Sequence, residues 1–362
     1  MSSTSEGRTR YSSSIDPVST DGRDIDTGIA TLSGEAAQQR VKHEDKHLAE
    51  LAPEVWDRTP AITDADTTYY DRPLLKPSVW SVDIPIYYFL GGAAGAALSL
   101  GAAIQLVAPA EQRELRRLSA ICHWIGIIGS TAGAGFLVHD LGRPMRFMAM
   151  LRVFRPTSPM NVGAWILSAA APSAMATGFF LNAPGILGTI GEVCGYISGI
   201  FGAALATYTG VLVSNTAIPV WQEPRRWMPV LFAASGAATA GSIIDITYHG
   251  RAGRRIGPVF GAIGRVAELA ATLKVEHAAS AIPKIGEPLH HGGTGVLWKT
   301  ATALTATSLV LSSIPLRSKR KKSIAVGLLG AAGSLCMRFA VHYIANASAR
   351  DPRASFQQQR RS

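Results

Sequence analysis

From Ile84 onward the sequence consists of long apolar runs, each close to twenty residues, separated by short polar connections. A helix of about 20 residues is long enough to span the hydrocarbon core of a bilayer. Inside lipid every backbone polar group needs a hydrogen-bond partner, and a helix supplies these partners within its own segment. The runs are therefore predicted to be helices rather than strands. The pattern therefore predicts an all-α, polytopic membrane helix bundle. The runs lie at 84–107, 118–138, 161–181, 187–213, 228–248, 295–314 and 323–345.

An eighth stretch, 256–277, is ambiguous because it has a helical composition but carries Arg265, Glu268 and Lys274. It suits either a span inside a bundle or a surface helix, and we favour about eight transmembrane helices. Gly-xxx-Gly pairs allow close approach of helix backbones in membranes. Their positions predict that the first four spans form one bundle. The pairs are Gly91 and Gly95, Gly129 and Gly133, and Gly195 and Gly199.

Charge divides the chain into two parts. Residues 1–83 contain nine Lys/Arg and fifteen Asp/Glu, whereas residues 84–362 contain 26 and ten. Ten carboxylates are too few for a soluble surface of that length, and basic residues concentrate in short loops as they do in membrane proteins. The net charge of +10 is therefore no indication of nucleic-acid binding. The polar segment 1–75 cannot bury much apolar surface, which predicts a largely disordered tail before a membrane domain at 76–362.

The loops do not fix the orientation in the membrane. We call the face at the start of the first apolar run side A and the opposite face side B. Side A has 13 Lys/Arg near the spans and side B has 11, a margin too small for the positive-inside rule to decide.

The three cysteines lie inside apolar runs with no zinc or haem-attachment spacing. An iron–sulfur cluster needs about four thiolates. We therefore expect no haem, cluster or metal site within this chain.

Ionisable side chains gather at the side-A ends of the apolar runs. Tyr88 lies near the start of the first run, His139, Asp140 and Arg143 end the second, and Tyr208 lies late in the fourth. One interpretation is an interfacial ion pair between Asp140 and Arg143, which are three residues apart. The other is a set of hydrogen-bonding groups for a quinone head group, which needs partners at both oxygens and acceptors for its protons.

A second set lies near side B: His123, Glu192 and Asp245. Both His123 and Glu192 also have a structural interpretation. His123 could be satisfied by a hydrogen bond to a backbone carbonyl, and Glu192 could lie at a helix start, where the helix dipole favours a carboxylate. The functional alternative is a proton path from the quinone pocket to the opposite surface, since charged groups at membrane depth usually serve ion or proton transfer.

Several blocks resemble the NrfD-type family, the membrane subunits of polysulfide reductases. The resemblance covers roughly residues 69–362, and the second and third blocks are the most specific. The blocks are Ile86–Gly95, His139–Phe147, Met150–Met160, Tyr208–Leu212 with Ala217–Trp221, and Ala347–Arg353.

This resemblance implies a subunit in the bacterial plasma membrane that has no cofactor of its own. Such a subunit passes electrons between the quinone pool, menaquinone or ubiquinone, and a ferredoxin-like four-cluster iron–sulfur subunit attached to a molybdopterin enzyme. By motif position it assigns Asp140 and Tyr208 to the quinone site, with Tyr88 and Arg143 as further members. The sequence leaves open whether this subunit is itself the quinol-oxidising or quinone-reducing component.

Two other functions are alternatives to this one. A secondary transporter favours inverted repeats and helices broken near the membrane midplane, and the sequence contains no convincing internal repeat. A di-haem cytochrome b subunit needs facing histidines, whereas His123, His139 and His342 do not fall at matching depths.

Overall fold

The computed structural model describes residues 73–107, 112–315 and 318–359. The predicted disordered tail falls almost entirely on residues 1–72, which lie outside the described residues. Within the described part of the chain every regular element is a helix, which confirms the all-α prediction. The helices are α1 (Asp83–Val107), α2 (Arg113–Asp140), α3 (Pro144–Met150), α4 (Pro159–Phe180), α5 (Ile186–Ser214), α6 (Pro219–Gln222), α7 (Met228–Thr247), α8 (Arg251–Ser280), α9 (Pro283–His290), α10 (Gly292–Ser313), α11 (Lys319–Arg350) and α12 (Pro352–Gln359).

Eight of these helices are long, and each of the predicted runs falls within or close to one of them. Successive long helices run in opposite directions, so that side A holds the short helices α3, α6, α9 and α12. By length and composition, seven helices among the described residues can cross a membrane: α1, α2, α4, α5, α7, α8 and α11. The chain is therefore a multi-pass membrane protein.

The structure bears on whether two of the predicted segments can cross the membrane. The ambiguous stretch 256–277 lies within α8, which is one of the seven helices apolar enough to cross a membrane. The run 295–314 forms α10, which is 22 residues long but is not among the seven. Lys299 and a series of threonines lower the apolar content of α10. This helix nevertheless packs along α11 and is the eighth long helix of the assembly.

The long helices form two four-helix bundles with the same internal order. In the first bundle, α1 packs against α2 and α5, and α4 contacts the same two helices from the other side. In the second bundle, α7 packs against α8 and α11, and α10 contacts both. The two bundles meet where α1 and α5 pack on α7 and where α1 contacts α11.

Small residues explain how closely the helices of the first bundle approach. A Cβ atom added to Gly95 on α1 would lie 2.6 Å from the backbone nitrogen of Ala206 on α5. One added to Gly129 on α2 would lie 3.0 Å from Cβ of Ala94. Gly199 lies against Ala102 in the same way. The Gly-xxx-Gly pairs therefore lie at helix contacts, which confirms the prediction that the first four spans form one bundle.

Candidate functional site

A cavity of about 210 Å³ lies at the side-A end of the first bundle. All four helices of the bundle contribute to its wall, together with α3 and the segment that precedes α1. Most of the wall is apolar, with a few polar groups, as is typical of small-molecule sites. The lining residues are Val79, Trp80, Ile84, Tyr87, Tyr88, Leu137, Asp140, Leu141, Arg146, Met150, Met160, Tyr208 and Leu212.

Three tyrosines form the deep wall of this cavity. Tyr87 and Tyr88 are buried neighbours on α1, and Tyr208 reaches the cavity from α5. The hydroxyl groups of Tyr87 and Tyr208 form a hydrogen bond with each other. The hydroxyl of Tyr88 has no hydrogen-bond partner among the described residues. Gly163 on α4 leaves room for the Tyr208 ring, which occupies the space that a larger side chain would fill.

Asp140 is the last residue of α2 and supplies the carboxylate of the cavity. Its Oδ1 accepts hydrogen bonds from the backbone N–H of Ser81 at 2.9 Å and from the Ser81 hydroxyl at 2.7 Å. Its Oδ2 forms no hydrogen bond with a described residue, and the Asp140 side chain is only partly buried. One oxygen is therefore held in place, and the other can accept a proton from a bound molecule.

The interfacial ion pair between Asp140 and Arg143 is not formed. The helix ends at Asp140, and Gly142 turns the chain with a φ of +70°, a conformation that favours glycine. Arg143 then precedes α3 in extended conformation, exposed and outside the cavity lining. Arg146, one turn further along, lines the cavity instead. The three-residue spacing would bring Arg143 next to Asp140 only if α2 continued past Asp140, and it does not.

His139 also lies outside the cavity lining. Its side chain is 80% exposed, and its Nδ1 lies 2.6 Å from Oδ2 of Asp83 at the start of α1. This contact ties the end of α2 to the beginning of α1. Of the five residues predicted for the site, the structure thus brings Asp140, Tyr208 and Tyr88 together around one cavity and leaves His139 and Arg143 at its outside.

Two supporting features were not anticipated from the sequence. The first is the segment before α1, in which Trp80 stacks on Trp221 at 5.8 Å and meets the Tyr88 ring edge-on at 6.4 Å between centroids. The backbone N–H of Ser78 is bonded to the side chain of Asn346 on α11. The segment is thereby fixed over the cavity, and it brings Ser81 to Asp140.

The second is Asn161 in the first turn of α4. Its Nδ2 donates to the carbonyl oxygens of Met150 and Val153, at 2.5 and 3.0 Å, while its Oδ1 accepts from the N–H of Arg155 at 2.7 Å. These bonds hold the connection between α3 and α4 against the end of the bundle. Met150 and the neighbouring Met160 are positioned as part of the cavity wall.

The three residues predicted for proton transfer have separate polar partners. His123 is buried within the first bundle, with Nδ1 2.8 Å from the Ser119 carbonyl oxygen, which is the structural alternative considered above. Glu192 pairs with Arg116 at 3.2 Å near side B and lies beyond the first turn of α5, so it does not cap that helix. Asp245 belongs to the second bundle, where it contacts Arg265. A proton-transfer role for these residues stays a prediction.

Among the described residues, no group of three or more His, Cys, Asp or Glu side chains is arranged to hold a metal ion. The three cysteines, Cys122, Cys194 and Cys336, are free thiols on different helices.

A comparison with curated proteins gives no match to the chain. A family model described as polysulphide reductase, NrfD, matches residues 73–347, which extend from the segment before α1 into the last turns of α11. The match includes both bundles and every residue that lines the cavity. The chain is therefore a member of the NrfD family of polysulphide-reductase membrane proteins.

Proposed function

We propose that this chain binds a quinone or quinol head group in the side-A cavity. We further propose that it passes electrons between the membrane quinone pool and an iron–sulfur partner of a molybdopterin-type oxidoreductase complex. The observation that carries the proposal is the convergence of Asp140 and three tyrosines on one mainly apolar cavity at the end of a membrane bundle. Menaquinone or ubiquinone in a bacterial plasma membrane would be the substrate.

The cavity has the dimensions and chemistry that a quinone head requires. A volume of about 210 Å³ holds a substituted ring but not the isoprenoid tail, which would extend into the lipid. The apolar wall suits the ring faces. Hydrogen-bonding groups lie on two sides, with Asp140 at the end of α2 and the Tyr87–Tyr208 pair on α1 and α5.

The residues divide the chemistry between them. Oxidation of one quinol to quinone releases two protons and two electrons. The free Oδ2 of Asp140 accepts the proton of one quinol hydroxyl, and Ser81 keeps the carboxylate in position through its two bonds to Oδ1. Tyr208 hydrogen-bonds the other quinol oxygen, with Tyr87 fixing the orientation of its hydroxyl. The reverse reaction uses the same groups, with Asp140 as the proton donor.

The electrons leave the chain through a partner. Family membership supports a place as the membrane subunit of an oxidoreductase complex. A ferredoxin-like iron–sulfur subunit on side A, close to the cavity, would accept electrons from quinol or donate them to quinone. A molybdopterin catalytic subunit would complete the complex. Lipid surrounds the two bundles, and no nucleic acid is involved.

The transporter alternative draws less support from the described structure. A secondary transporter of the broken-helix type has spans interrupted near the midplane, at the substrate site. The seven described spans are continuous helices, and the cavity lies at one end of a bundle. We therefore retain electron transfer as the proposed function.

The test is the substitution Asp140→Asn in the assembled complex. The amide keeps the size of the side chain and accepts the Ser81 bonds, but it cannot take a proton. We expect quinol-linked turnover to fall by about tenfold or more, in line with the usual contribution of a general base. Glu287→Gln is the matched control, because Glu287 is a side-A carboxylate that pairs with Lys284 on α9, away from the cavity.

Both variants are compared with the parent complex at equal amounts of assembled subunits, measured by gel and by bound partner. A loss confined to Asp140→Asn supports the proposal. Unchanged turnover in Asp140→Asn would remove this carboxylate from the reaction.

A further inference from the structure

The second bundle contains four charged side chains buried between its helices. Asp245 lies on α7, Arg265 and Glu268 lie on α8, and Arg338 lies on α11, each 3% exposed or less. Charged groups inside a membrane bundle are expensive and usually serve a function. None of the four lines the side-A cavity.

The side-B end of this set is an arginine–aspartate contact. Nη2 of Arg265 lies 3.5 Å from Oδ2 of Asp245 and 3.3 Å from the hydroxyl of Ser242. Nε and Nη1 of Arg265 have no hydrogen-bond partner among the described residues. Asp245 itself lies in the last turn of α7, close to the side-B surface.

Glu268 occupies the middle of the bundle and lacks an ion pair. Its Oε2 accepts a hydrogen bond from Ser334 at 3.0 Å, whereas its Oε1 forms no hydrogen bond with a described residue, although the nearby Ser235 hydroxyl helps to stabilise the charged carboxylate. Arg265 and Arg338 are the charges that act on it, but neither guanidinium is close enough to form a salt bridge with it. A fully buried carboxylate with one unpaired oxygen is strongly destabilised as an anion.

We propose that Glu268 is a proton-binding site, which exchanges protons with side B through Asp245. In the transfer step, the Asp245 carboxylic acid releases its proton, the O–H bond forms on Oε1 of Glu268, and Asp245 is reprotonated from side B. Nε and Nη1 of Arg265, which have no hydrogen-bond partner among the described residues, would bind bridging water on this route, as buried polar groups of this kind commonly do.

The surrounding charges favour a proton over a metal cation. α8 contributes Arg265 and α11 contributes Arg338, with His342 one turn further along. α7 contributes Asp245, while the buried polar residues of α10 are the hydroxyls of Thr305 and Ser308. Two arginines against two carboxylates leave no excess negative charge to hold a metal ion, whereas a proton needs only the free Oε1.

A contact through Arg338 links this site to the cavity. Nη2 of Arg338 donates to the carbonyl oxygen of Phe232 at 2.8 Å, and its Cζ lies 4.1 Å from the centre of the Phe232 ring. That ring packs on Tyr88 at 5.5 Å between centroids. Protonation of Glu268 therefore removes a negative charge opposite the arginine that backs the cavity wall. This link rests on the proposed function, whereas the proton-binding site does not.

The experiment measures protonation of Glu268 without quinone or partner subunits. The full chain is reconstituted in vesicles, and the pH on each side is set separately. Side B is identified with a membrane-impermeant amine reagent, which reaches the Lys319, Lys321 and Lys322 cluster only from that side. Dicyclohexylcarbodiimide, an apolar reagent that adds to protonated carboxyl groups, is then applied, and labelled peptides are quantified by mass spectrometry.

We expect labelling of Glu268 to increase as the side-B pH is lowered, by up to about tenfold per pH unit as a one-proton titration requires, and to be insensitive to the side-A pH. Asp245→Asn should abolish the dependence on side-B pH, and Glu268→Gln should remove the label. Asp140→Asn should leave it unchanged, which separates this site from the quinone proposal. Labelling that follows the side-A pH, or no labelling of Glu268 at any pH, would overturn the inference. The sidedness measurement on the parent chain requires no variant.

Discussion

The two bundles have the same helix order but place their polar side chains differently. In the first bundle one set of polar groups, Asp140 and three tyrosines, meets at the side-A end around a cavity, while His123 is buried separately. In the second bundle they lie between the helices, where Asp245, Arg265 and Glu268 are almost completely buried. Groups at a rim can bind and release a molecule, whereas groups packed inside can only exchange something as small as a proton.

The helix contacts do not follow this division. Backbones approach directly in both bundles, where Gly95 meets Ala206 in the first and where Gly264 meets Ala238 in the second. Glycines also make room for polar side chains in both: Gly163 lies against the Tyr208 ring, and a Cβ at Gly330 would lie 2.9 Å from Nε of Arg265. The bundles therefore differ in where their polar side chains lie and not in how their helices approach.

The largest effect that tests the difference in the placement of polar side chains is expected at Arg338. Arg338→Met should lower the free energy of unfolding by about 1.5–3 kcal/mol, because the buried Phe232 carbonyl oxygen loses its charged hydrogen-bond donor. His139→Gln breaks the exposed contact with Asp83 at the rim and should lower it by about 1 kcal/mol or less. Both values come from denaturation of the purified chain in detergent. Equal losses in the two variants would show that burial does not distinguish the two regions.

A smaller effect is expected at the backbone contact of the first bundle. Gly95→Ala should lower the free energy of unfolding by about 1–3 kcal/mol, the usual range for overpacking, because the new methyl group meets the α5 backbone. Gly135→Ala on α2 is the matched control, since nothing lies within 4 Å of its Cβ position. Thermal unfolding of both variants measures the difference. A Gly95→Ala protein as stable as the control would contradict the close approach of α1 and α5.

The smallest effect concerns the cavity alone. Tyr208→Phe removes one hydroxyl, and with it the bond to Tyr87, but keeps the ring that fills the space beside Gly163. The loss of one hydrogen bond corresponds to about 0.5–1.5 kcal/mol, so we expect KM for quinol to rise by about two- to tenfold. Steady-state kinetics of the complex provide the readout. An unchanged KM would place the quinol oxygen away from Tyr208.

Much of this arrangement could be predicted from the sequence. Apolar runs of about twenty residues determine where the long helices form, because lipid leaves the backbone no other hydrogen-bonded choice. Alternating helix direction then assigns each run end to a side, which is why Asp140, Tyr88 and Tyr208 were expected near one another. The Gly-xxx-Gly pairs indicated the contacts of the first bundle, because small residues on one helix face allow two backbones to approach closely.

The remainder depends on tertiary geometry. The resemblance assigned Arg143 to the site and helical spacing placed it beside Asp140, but the turn at Gly142 follows the end of the helix and Arg146 lines the cavity instead. Ser81 and Asn161 act through bonds to distant segments, which no local pattern reveals. Arg265 and Glu268 made the stretch 256–277 ambiguous in the sequence, and only the structure shows that Asp245, Ser334 and Arg338 surround them.

The central claim is that a quinone head occupies the side-A cavity, and photochemical cross-linking tests it most directly. A short-tailed azidoquinone is bound to the purified complex, illuminated, and located by mass spectrometry. We expect the label on peptides that contain Tyr88, Asp140 or Tyr208, and we expect an excess of the native quinone to prevent it. Label found only on other helices, or label that native quinone does not displace, would contradict the account.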